Sequence, residues 1–313
     1  MMKKIILDVD TGIDDALGII LAVKSKQLDI QAITTVCGNV SLEQATVNTG
    51  KVLDLLGRPD IPVYRGAETP LIRPEFNETR IHGQDGIGGA LPYAVPSTAP
   101  ASGFAADLMI EHALNLKGGQ DRLTLVCTGP LTNLAHALLR YPELPKHIEE
   151  VIFMGGVIHG CGNVTPVAEY NMYADPEAAR IVFHAGFRKL TQVGLDVTRK
   201  ALLTAEHIAQ IADPQIRNYV EQSTSEYTKR YEARNGVRAC ALHDPLAVGV
   251  ALWPELLDTK PMYVDIETSS RLCDGQTVGD IQNRLGHPPN MQVSEGVDHE
   301  AFLTRFVHVT GQM

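Results

Sequence analysis

Short apolar segments alternate with amphipathic segments through the first two thirds of the chain. The apolar runs predict strands, and the longer runs with helical spacing predict helices. The predicted strands are Lys4–Asp10, Ile30–Val36, Leu123–Cys127, Val151–Met154 and Leu190–Val193. The predicted helices are Asp14–Lys26, Ser41–Leu56, Ala105–Leu116, Leu131–Arg140 and Pro176–His184. Because these strands are apolar on both faces and alternate with helices, we expect an α/β fold with a mostly parallel, Rossmann-like sheet.

The remainder of the chain departs from this alternation. Residues 66–103 are rich in Gly and Pro and predict an irregular excursion, whereas residues 200–240 predict a polar helical insertion. Further strands are predicted at Met262–Glu267 and Met291–Val293, followed by a last segment that suits either a helix or a strand. We find no internal repeat or low-complexity block, and we predict one domain spanning residues 1–313.

Composition and charge narrow the class of protein. A chain of 313 residues with 44% hydrophobic and 20% charged residues is typical of a globular protein with a sizeable core. A formal net charge of −10 disfavours nucleic acid and anionic membranes as partners. The five cysteines are scattered without CxxC spacing, which favours a reduced, cytoplasmic protein over a thiolate zinc site. Since no apolar run is long enough for a signal segment or a membrane span, we expect no membrane association.

Four carboxylates stand close together where the first predicted strand ends: Asp8, Asp10, Asp14 and Asp15. Four negative charges at this spacing repel one another unless a cation lies among them, and a hard metal ion prefers such oxygen ligands. Asp8 and Asp10 are two residues apart on a strand and can therefore face one cavity. The alternative is that these residues form a turn and cap the following helix.

Other polar groups also follow predicted strands. Asp10 ends the first strand, Asn39 follows the second, Thr128 follows the third, and Met154 ends another. In open α/β sheets, ligands bind at the carboxyl ends of the strands. The sequence therefore predicts a polar site at this rim.

Taken together with a series of further motifs, these residues mark a known family. The chain resembles the inosine-uridine-preferring nucleoside hydrolases, whose signature matches the segment from Asp8 to Ala16. Thr11 stands where many members have Pro, and Leu17-Gly18 replaces the usual pair of an aliphatic residue and Ala. The other matching motifs are Gly38-Asn39, Ile81-His82-Gly83, Asp85-Gly86, Thr128-Gly129-Pro130-Leu131-Thr132-Asn133, Met154-Gly155-Gly156, Gly162-Asn163, Ala168-Glu169-Tyr170-Asn171, Asp175-Pro176-Glu177-Ala178-Ala179, Gly194-Leu195-Asp196 and His243-Asp244-Pro245.

The resemblance implies the nucleoside hydrolase fold and hydrolysis of the N-glycosidic bond of ribonucleosides to ribose and a free base. It implies a calcium ion held by Asp10, Asp15, the backbone carbonyl of Thr128 and Asp244. Carboxylates with a carbonyl suit a hard cation of high coordination number. Asp10 would also act as the base that takes a proton from the attacking water.

The resemblance further assigns the residues that bind the ribose. Asp14 and Asn171 would contact the 2′-hydroxyl, and Glu169 with Asn163 would bind the 5′-hydroxyl. Glu169 and Asn171 point to one side of the chain if this segment is extended. The alternative for an isolated Asn is turn formation through bonds from side chain to backbone.

Asn39 would lie beside the attacking water and the ribose, and Met154 would pack against the sugar. The alternative for Met154 is a buried strand residue without contact to a ligand. The resemblance also implies a homo-oligomer, either a dimer or a tetramer.

Residues near the base follow from the same resemblance. His243 would donate a proton to a departing purine, and a neutral-range pKa suits that task; otherwise it precedes the predicted helix Pro245–Leu252 as a neighbour of its N-cap. His82 would be a second active-site histidine or a structural loop residue. Tyr227 and Tyr231 would stack on the base as part of a lid, or form one face of a packed helix.

Lys and Arg are absent from these motifs, so a neutral nucleoside suits them better than a nucleotide. Two other functions stay open. Asp8-Val9-Asp10-Thr11 is similar to the opening of haloacid dehalogenase-type phosphatases, although Gly12 stands where that motif needs Thr or Val. A non-catalytic, calcium-dependent nucleoside- or sugar-binding protein is the other. The preferred base cannot be predicted from the sequence.

Overall fold

The computed structural model describes residues 2–77, 79–92, 94–116 and 122–312, so Glu78 and Tyr93 of the predicted excursion lie outside it. The strands are β1 (Lys3–Val9), β2 (Leu28–Thr35), β3 (Val63–Arg65), β4 (Leu123–Cys127), β5 (Ile148–Met154), β6 (Leu190–Val193), β7 (Leu202–Leu203), β8 (Cys240–Ala241), β9 (Leu257–Met262), β10 (Val264–Ile266), β11 (Thr277–Gly279) and β12 (Met291–Val297). The helices are α1 (Ile13–Ser25), α2 (Leu42–Leu55), α3 (Thr79–His82), α4 (Ala105–Asn115), α5 (Thr132–Arg140), α6 (Tyr170–Ala174), α7 (Pro176–Phe183), α8 (Leu195–Thr198), α9 (Ala205–Ala209), α10 (Pro214–Asn235), α11 (His243–Leu252) and α12 (His299–Thr310).

Eight strands form the central sheet in the order β3-β2-β1-β4-β5-β6-β12-β9. Neighbouring strands are parallel except that β9 runs antiparallel to β12 at the edge. Two short antiparallel pairs, β10 with β11 and β7 with β8, lie outside this sheet. The predicted fold class, a mostly parallel sheet flanked by helices, is confirmed.

The sheet carries an apolar core on each face. Along β1, Ile5 and Leu7 belong to one buried cluster, whereas Ile6 belongs to a second cluster with Phe153. Side chains that alternate between two buried faces explain why the strands read as continuous apolar runs. Helix α1 is buried along almost its whole length, which is the pattern of a helix enclosed by other elements.

The later part of the chain differs from the prediction around Tyr263. The strand predicted at Met262–Glu267 is confirmed only in part: β10 covers Val264–Ile266, whereas Met262 is the last residue of β9 and Tyr263 separates the two strands. The last segment is a helix, α12. The polar insertion is helical as predicted, with α10 at its centre. No helix within the described ranges is long and apolar enough to cross a bilayer. That residues 1–313 form one domain stays a prediction.

Candidate active site

A cavity of about 1140 Å³ opens at the carboxyl ends of the central strands. The predicted site residues converge on it from distant parts of the sequence. Those that line it are Asp14, Asn39, His82, Thr128, Met154, Asn163, Glu169, Asn171, Tyr227, Tyr231, His243 and Asp244. Asp10 and Asp15 are fully buried and are not part of the lining. The rim predicted from the sequence is therefore the place where the structure forms its large cavity.

Three buried carboxylates meet beside this cavity. One oxygen from each of Asp14, Asp15 and Asp244 lies within 4.8 Å of the others. Asp14 and Asp15 stand in the first turn of α1, and Asp244 stands in the first turn of α11. Two helix N-termini thus place their positive dipole ends near the negative charges. This group differs from the predicted metal ligands because it contains Asp14 and not Asp10.

Directed hydrogen bonds hold Asp15 and Asp10 in place. Asp15 accepts from the backbone N–H of Gly12 at 2.9 Å and from Asn39 Nδ2 at 3.1 Å through Oδ2, and from Thr128 Oγ1 at 2.7 Å through Oδ1. Asp10 Oδ2 accepts from the backbone N–H of Asn39 at 2.6 Å. Its other oxygen, Oδ1, is buried without a hydrogen-bond partner in the described part of the chain.

The electrostatics of this group favour a cation. Burial, followed by the charge of Asp15, raises the pKa of Asp14 to about 7. Burial and the same charge raise the pKa of Asp10 well above its usual range, and burial with the charges of Asp14 and Asp15 does so for Asp244. Asp14 Oδ1 is a further buried oxygen without a hydrogen-bond donor among the described residues. Closely packed oxygens that lack donors suit a hard divalent metal ion.

Asp8 serves the fold and not the cavity. Its Oδ1 accepts from Thr34 Oγ1 at 2.7 Å and from Asn133 Nδ2 at 2.8 Å. Neither of these partners lines the cavity, and neither does Asp8. Contrary to the expectation, Asp8 therefore does not line the cavity: groups on β2 and α5 hold its Oδ1, whereas its Oδ2 is buried without a hydrogen-bond partner in the described ranges.

Glu169 and Asn171 lie at the N-terminus of α6, from which both side chains line the cavity. Glu169 caps α6, and its carboxylate accepts from the backbone N–H groups of Gly156 and Asn171, both at 2.9 Å. Asn171 Nδ2 donates to the backbone carbonyl of Thr128 at 2.7 Å. The segment is not extended, since α6 begins at Tyr170, yet both side chains line the cavity.

Asn163 and Met154 also line the cavity. Asn163 Oδ1 is buried without a hydrogen-bond partner in the described ranges, which leaves an acceptor for a ligand hydroxyl. Met154 is only 3% exposed, and its Sδ lies 3.6 Å from Asn171 Nδ2. Met154 is thus both a buried strand residue and part of the cavity wall, so its two interpretations are compatible.

The two histidines differ in their surroundings. Thr198 Oγ1 lies 2.8 Å from His243 Nδ1. Burial lowers the pKa of His243 to about 3, with further contributions from the charges of Arg199 and His82. His243 is therefore neutral near pH 7, unlike the neutral-range pKa expected from the sequence. His82 Nδ1 accepts from the backbone N–H of Ile13 at 3.1 Å, so His82 both anchors the end of α3 on α1 and lines the cavity.

Tyr227 and Tyr231 of α10 stack on one another. The ring centroids of Tyr227 and Tyr231 are 6.0 Å apart with an interplanar angle of 13°. Tyr227 is 7% exposed and belongs to the apolar core, yet both rings also line the cavity. A packed helix face and an aromatic wall are therefore the same surface.

This fold and this site are shared with known proteins. Residues 5–304 match the sequence profile of the family described as inosine-uridine preferring nucleoside hydrolase. The chain belongs to this family. Its activity is therefore hydrolysis of the N-glycosidic bond of ribonucleosides, and the phosphatase alternative does not hold.

Individual relatives of this nucleoside hydrolase extend over nearly its whole length. It is 40% identical over 309 residues to the pyrimidine-specific ribonucleoside hydrolase RihA of Salmonella paratyphi C (strain RKS4594), covering 97% of this chain and 96% of that one. The solved plant nucleoside hydrolase PpNRh1 is 33% identical with a TM-score of 0.93, covering 100% of both chains. The purine-preferring ribonucleoside hydrolase from Gardnerella vaginalis is 35% identical with a TM-score of 0.90, covering 99% of this chain and 98% of that one.

The sequence analysis missed basic residues in the cavity of this nucleoside hydrolase. Arg199, Arg230 and Arg234 line it, although Lys and Arg are absent from the motifs. A signal for two of them was available on α10. Positions 227, 230, 231 and 234 follow the spacing of one helix face. Once Tyr227 and Tyr231 were assigned to the cavity, this spacing indicated that the two arginines lie there as well.

Proposed function

We propose that this nucleoside hydrolase depends on calcium and cleaves ribonucleosides of the inosine and uridine type. The observation that carries the proposal is the buried group formed by Asp14, Asp15 and Asp244 beside a cavity lined by amide and carboxylate side chains. The family is metal-dependent, and the group offers oxygen ligands alone, which suits calcium better than softer metals.

Asp10, Asp15, Asp244 and the backbone carbonyl of Thr128 would hold the cation. The Thr128 carbonyl accepts one hydrogen bond from Asn171 and keeps a second lone pair. Asp10 contributes an oxygen without a donor among the described residues. When bound, calcium supplies a positive charge that orients hydroxyl groups and favours ionisation of water.

The proposed base is Asp10. Its Oδ2 is fixed by the backbone N–H of Asn39, which leaves Oδ1 to accept a proton from the attacking water. Asn39 also donates to Asp15, so one residue would position both carboxylates next to the water. A carboxylate held in this way loses little freedom when the reaction occurs.

The remaining polar groups would bind the ribose. Asn171 uses its Nδ2 for backbone carbonyls, so its Oδ1 would accept from the 2′-hydroxyl together with Asp14. Glu169 and Asn163 would bind the 5′-hydroxyl, and Met154 would pack on the sugar. Since the transition state resembles an oxocarbenium ion, the negative charges near the ring would stabilise it.

The leaving base would lie between Tyr227, Tyr231 and the two histidines. His243 would assist departure of a purine by donating a proton, which requires that the bound nucleoside raise the pKa of His243 from about 3. His82 would lie at the same end of the cavity. Relatives named for pyrimidine specificity and for purine preference both match this chain, so a substrate panel must decide the preferred base.

The test is release of reducing sugar from a panel of ribonucleosides by the purified protein. We expect turnover of inosine and uridine, and loss of most turnover in Asp10→Asn with the fold retained. Asp8→Asn is the matched control, because Asp8 is a buried carboxylate of the same segment whose Oδ1 is bound by Thr34 and Asn133. Tight nucleoside binding without sugar release would instead support the non-catalytic alternative. Equal turnover in Asp10→Asn and the wild type would remove Asp10 as the base.

We also propose a homo-oligomer, either a dimer or a tetramer, in the cytoplasm. The five cysteines are free thiols in the structure, which agrees with a reducing compartment. Light scattering coupled to size exclusion measures the number of chains in the assembly, and a monomer would contradict the first part of this proposal.

A further inference from the structure

Asn163 lies in the loop that follows β5, and a residue of helix α8 binds the part of this loop that precedes Asn163. The Asp196 carboxylate accepts from the backbone N–H of Ile158 at 2.8 Å and from that of His159 at 2.9 Å. Charge-assisted hydrogen bonds of this kind are stronger than neutral ones. The part of the loop at Ile158 and His159, four to five residues after β5, is therefore held by a side chain.

Arg199 follows α8 and holds the other end of the loop. Its Nη1 donates to the carbonyl of Cys161 at 2.7 Å, and its Nη2 donates to the carbonyl of Gly162 at 2.9 Å. A planar guanidinium can bridge two successive carbonyls in this way, whereas the single ammonium of a lysine cannot match both directions. Residues from one helical turn thus bind four peptide groups that lead to Asn163.

The loop needs this support because it is open to solvent. His159, Gly160 and Cys161 are exposed, whereas the Oδ1 atom of Asn163 is buried without a partner in the described part of the chain. The backbone N–H of Asn163 donates to the carbonyl of Ala168 at 3.1 Å, which fixes its far side. We call the hydrogen bonds from Asp196 and Arg199 to this loop the clamp. Without the clamp, the Asn163 side chain would have to be ordered again each time a ligand binds.

We propose that Asp196 and Arg199 are positioning residues that hold Asn163 against the 5′ end of a bound ribonucleoside. The inference rests on the proposed function, in which Asn163 binds the 5′-hydroxyl. Asp196 does not line the cavity, so it acts only through the loop. Arg199 does line it and could therefore also contact the nucleoside directly. If substitution of Asp196 and substitution of Arg199 have the same effect on catalysis, that effect comes from positioning and not from direct contact.

The test compares inosine with 5′-deoxyinosine, which lacks the hydroxyl that Asn163 would bind. We expect Asp196→Ala and Arg199→Ala to lower kcat/KM for inosine about tenfold, as the loss of one well-placed hydrogen bond would. For 5′-deoxyinosine the loss should be less than about twofold, and Asn163→Ala should show the same pattern. Arg199→Lys should recover only part of the loss.

Arg217→Ala is the matched control, because Arg217 is half-buried and donates to the Ile211 carbonyl at 3.2 Å away from the cavity. It should leave both substrates unaffected. Equal losses for the two substrates in Asp196→Ala would overturn the proposal, since a general loss of structure has no reason to depend on the 5′-hydroxyl. Losses in Arg199→Ala alone would also overturn it and indicate direct contact with the nucleoside.

A second measurement tests the clamp independently of nucleoside hydrolysis. Deuterium uptake over residues 157–164 should rise in Asp196→Ala and Arg199→Ala and stay unchanged in Arg217→Ala. Unchanged uptake in the first two variants would overturn the clamp even if nucleosides are cleaved. Faster uptake in a protein that cleaves no nucleoside would confirm the clamp while rejecting the proposed function.

Discussion

The hydroxyl of Thr128 donates a hydrogen bond to Oδ1 of Asp15 across 2.7 Å. This bond ties the carboxyl end of β4 to the first turn of α1. The carbonyl of the same Thr128 accepts from Asn171 at 2.7 Å, so one residue connects the acidic group to the ribose side of the cavity. A change at Thr128 should therefore affect both metal binding and catalysis.

Thr128→Val removes the hydroxyl and keeps the backbone carbonyl. Asp15 then loses a donor that orients it, and we expect calcium affinity to fall about 10-fold or more, as for other residues that orient metal ligands. Titration calorimetry on metal-stripped protein measures this affinity. Thr34→Val is the matched control, because Thr34 donates to Asp8 in the same manner at 2.7 Å outside the cavity. If both variants bind calcium as the wild type does, the Thr128–Asp15 bond has no role in the metal site.

Gly38 leaves the space that the Asp10 carboxylate occupies. A Cβ atom at position 38 would overlap Asp10 Oδ2, which is also the acceptor for the Asn39 N–H. Gly38→Ala should displace the carboxylate and lower kcat about 10²-fold, because a small misplacement of a reacting group is costly. Steady-state kinetics with circular dichroism as a check on folding measure the effect. A folded variant with unchanged kcat would show that Asp10 need not stand where the structure places it.

Gly18 is a position where an added methyl group should stabilise the protein, in contrast to Gly38. It lies inside α1, and a Cβ there would meet Val248 Cγ2 at 3.5 Å, an ordinary contact. Gly18→Ala should raise the free energy of unfolding by about 0.5–1 kcal/mol through lower backbone entropy of the unfolded chain. Denaturant unfolding measures this gain, and activity should stay the same. A loss of stability would mean that α1 and α11 tolerate no added methyl group.

His243→Ala tests the proposed donor to the leaving group. Purines depart more readily when protonated, so the loss in kcat should be larger for inosine than for uridine. The ratio of the two kcat values, measured with one enzyme preparation, reports the difference. Losses of the same size for both substrates would assign His243 a structural role through its contact with Thr198.

Buried parallel strands could be predicted closely from the sequence. β4 and β6 begin and end at the predicted residues, and every residue of both strands is buried. The break between β9 and β10 at Tyr263 could not be found, since Met262 and Val264 on either side of it are both apolar. The edge strand β3 has three residues and offers too little pattern.

The site could be located but not fully described from the sequence. Motifs at strand ends predicted which residues meet, yet Asp8 is held by Thr34 and Asn133, which are distant in sequence. The low pKa of His243 depends on burial and on Arg199, and neither leaves a local pattern. Long-range packing decides such properties, so only the structure shows them.

The central claim is that one calcium ion, held by Asp10, Asp15, Thr128 and Asp244, is needed for hydrolysis. The most direct measurement strips the protein of metal with a chelator and follows reducing-sugar release from inosine while calcium is returned in steps. We predict almost no release from the stripped protein, with activity rising in proportion to calcium until about one ion per chain is bound. Full activity in protein shown to be free of metal would contradict the account.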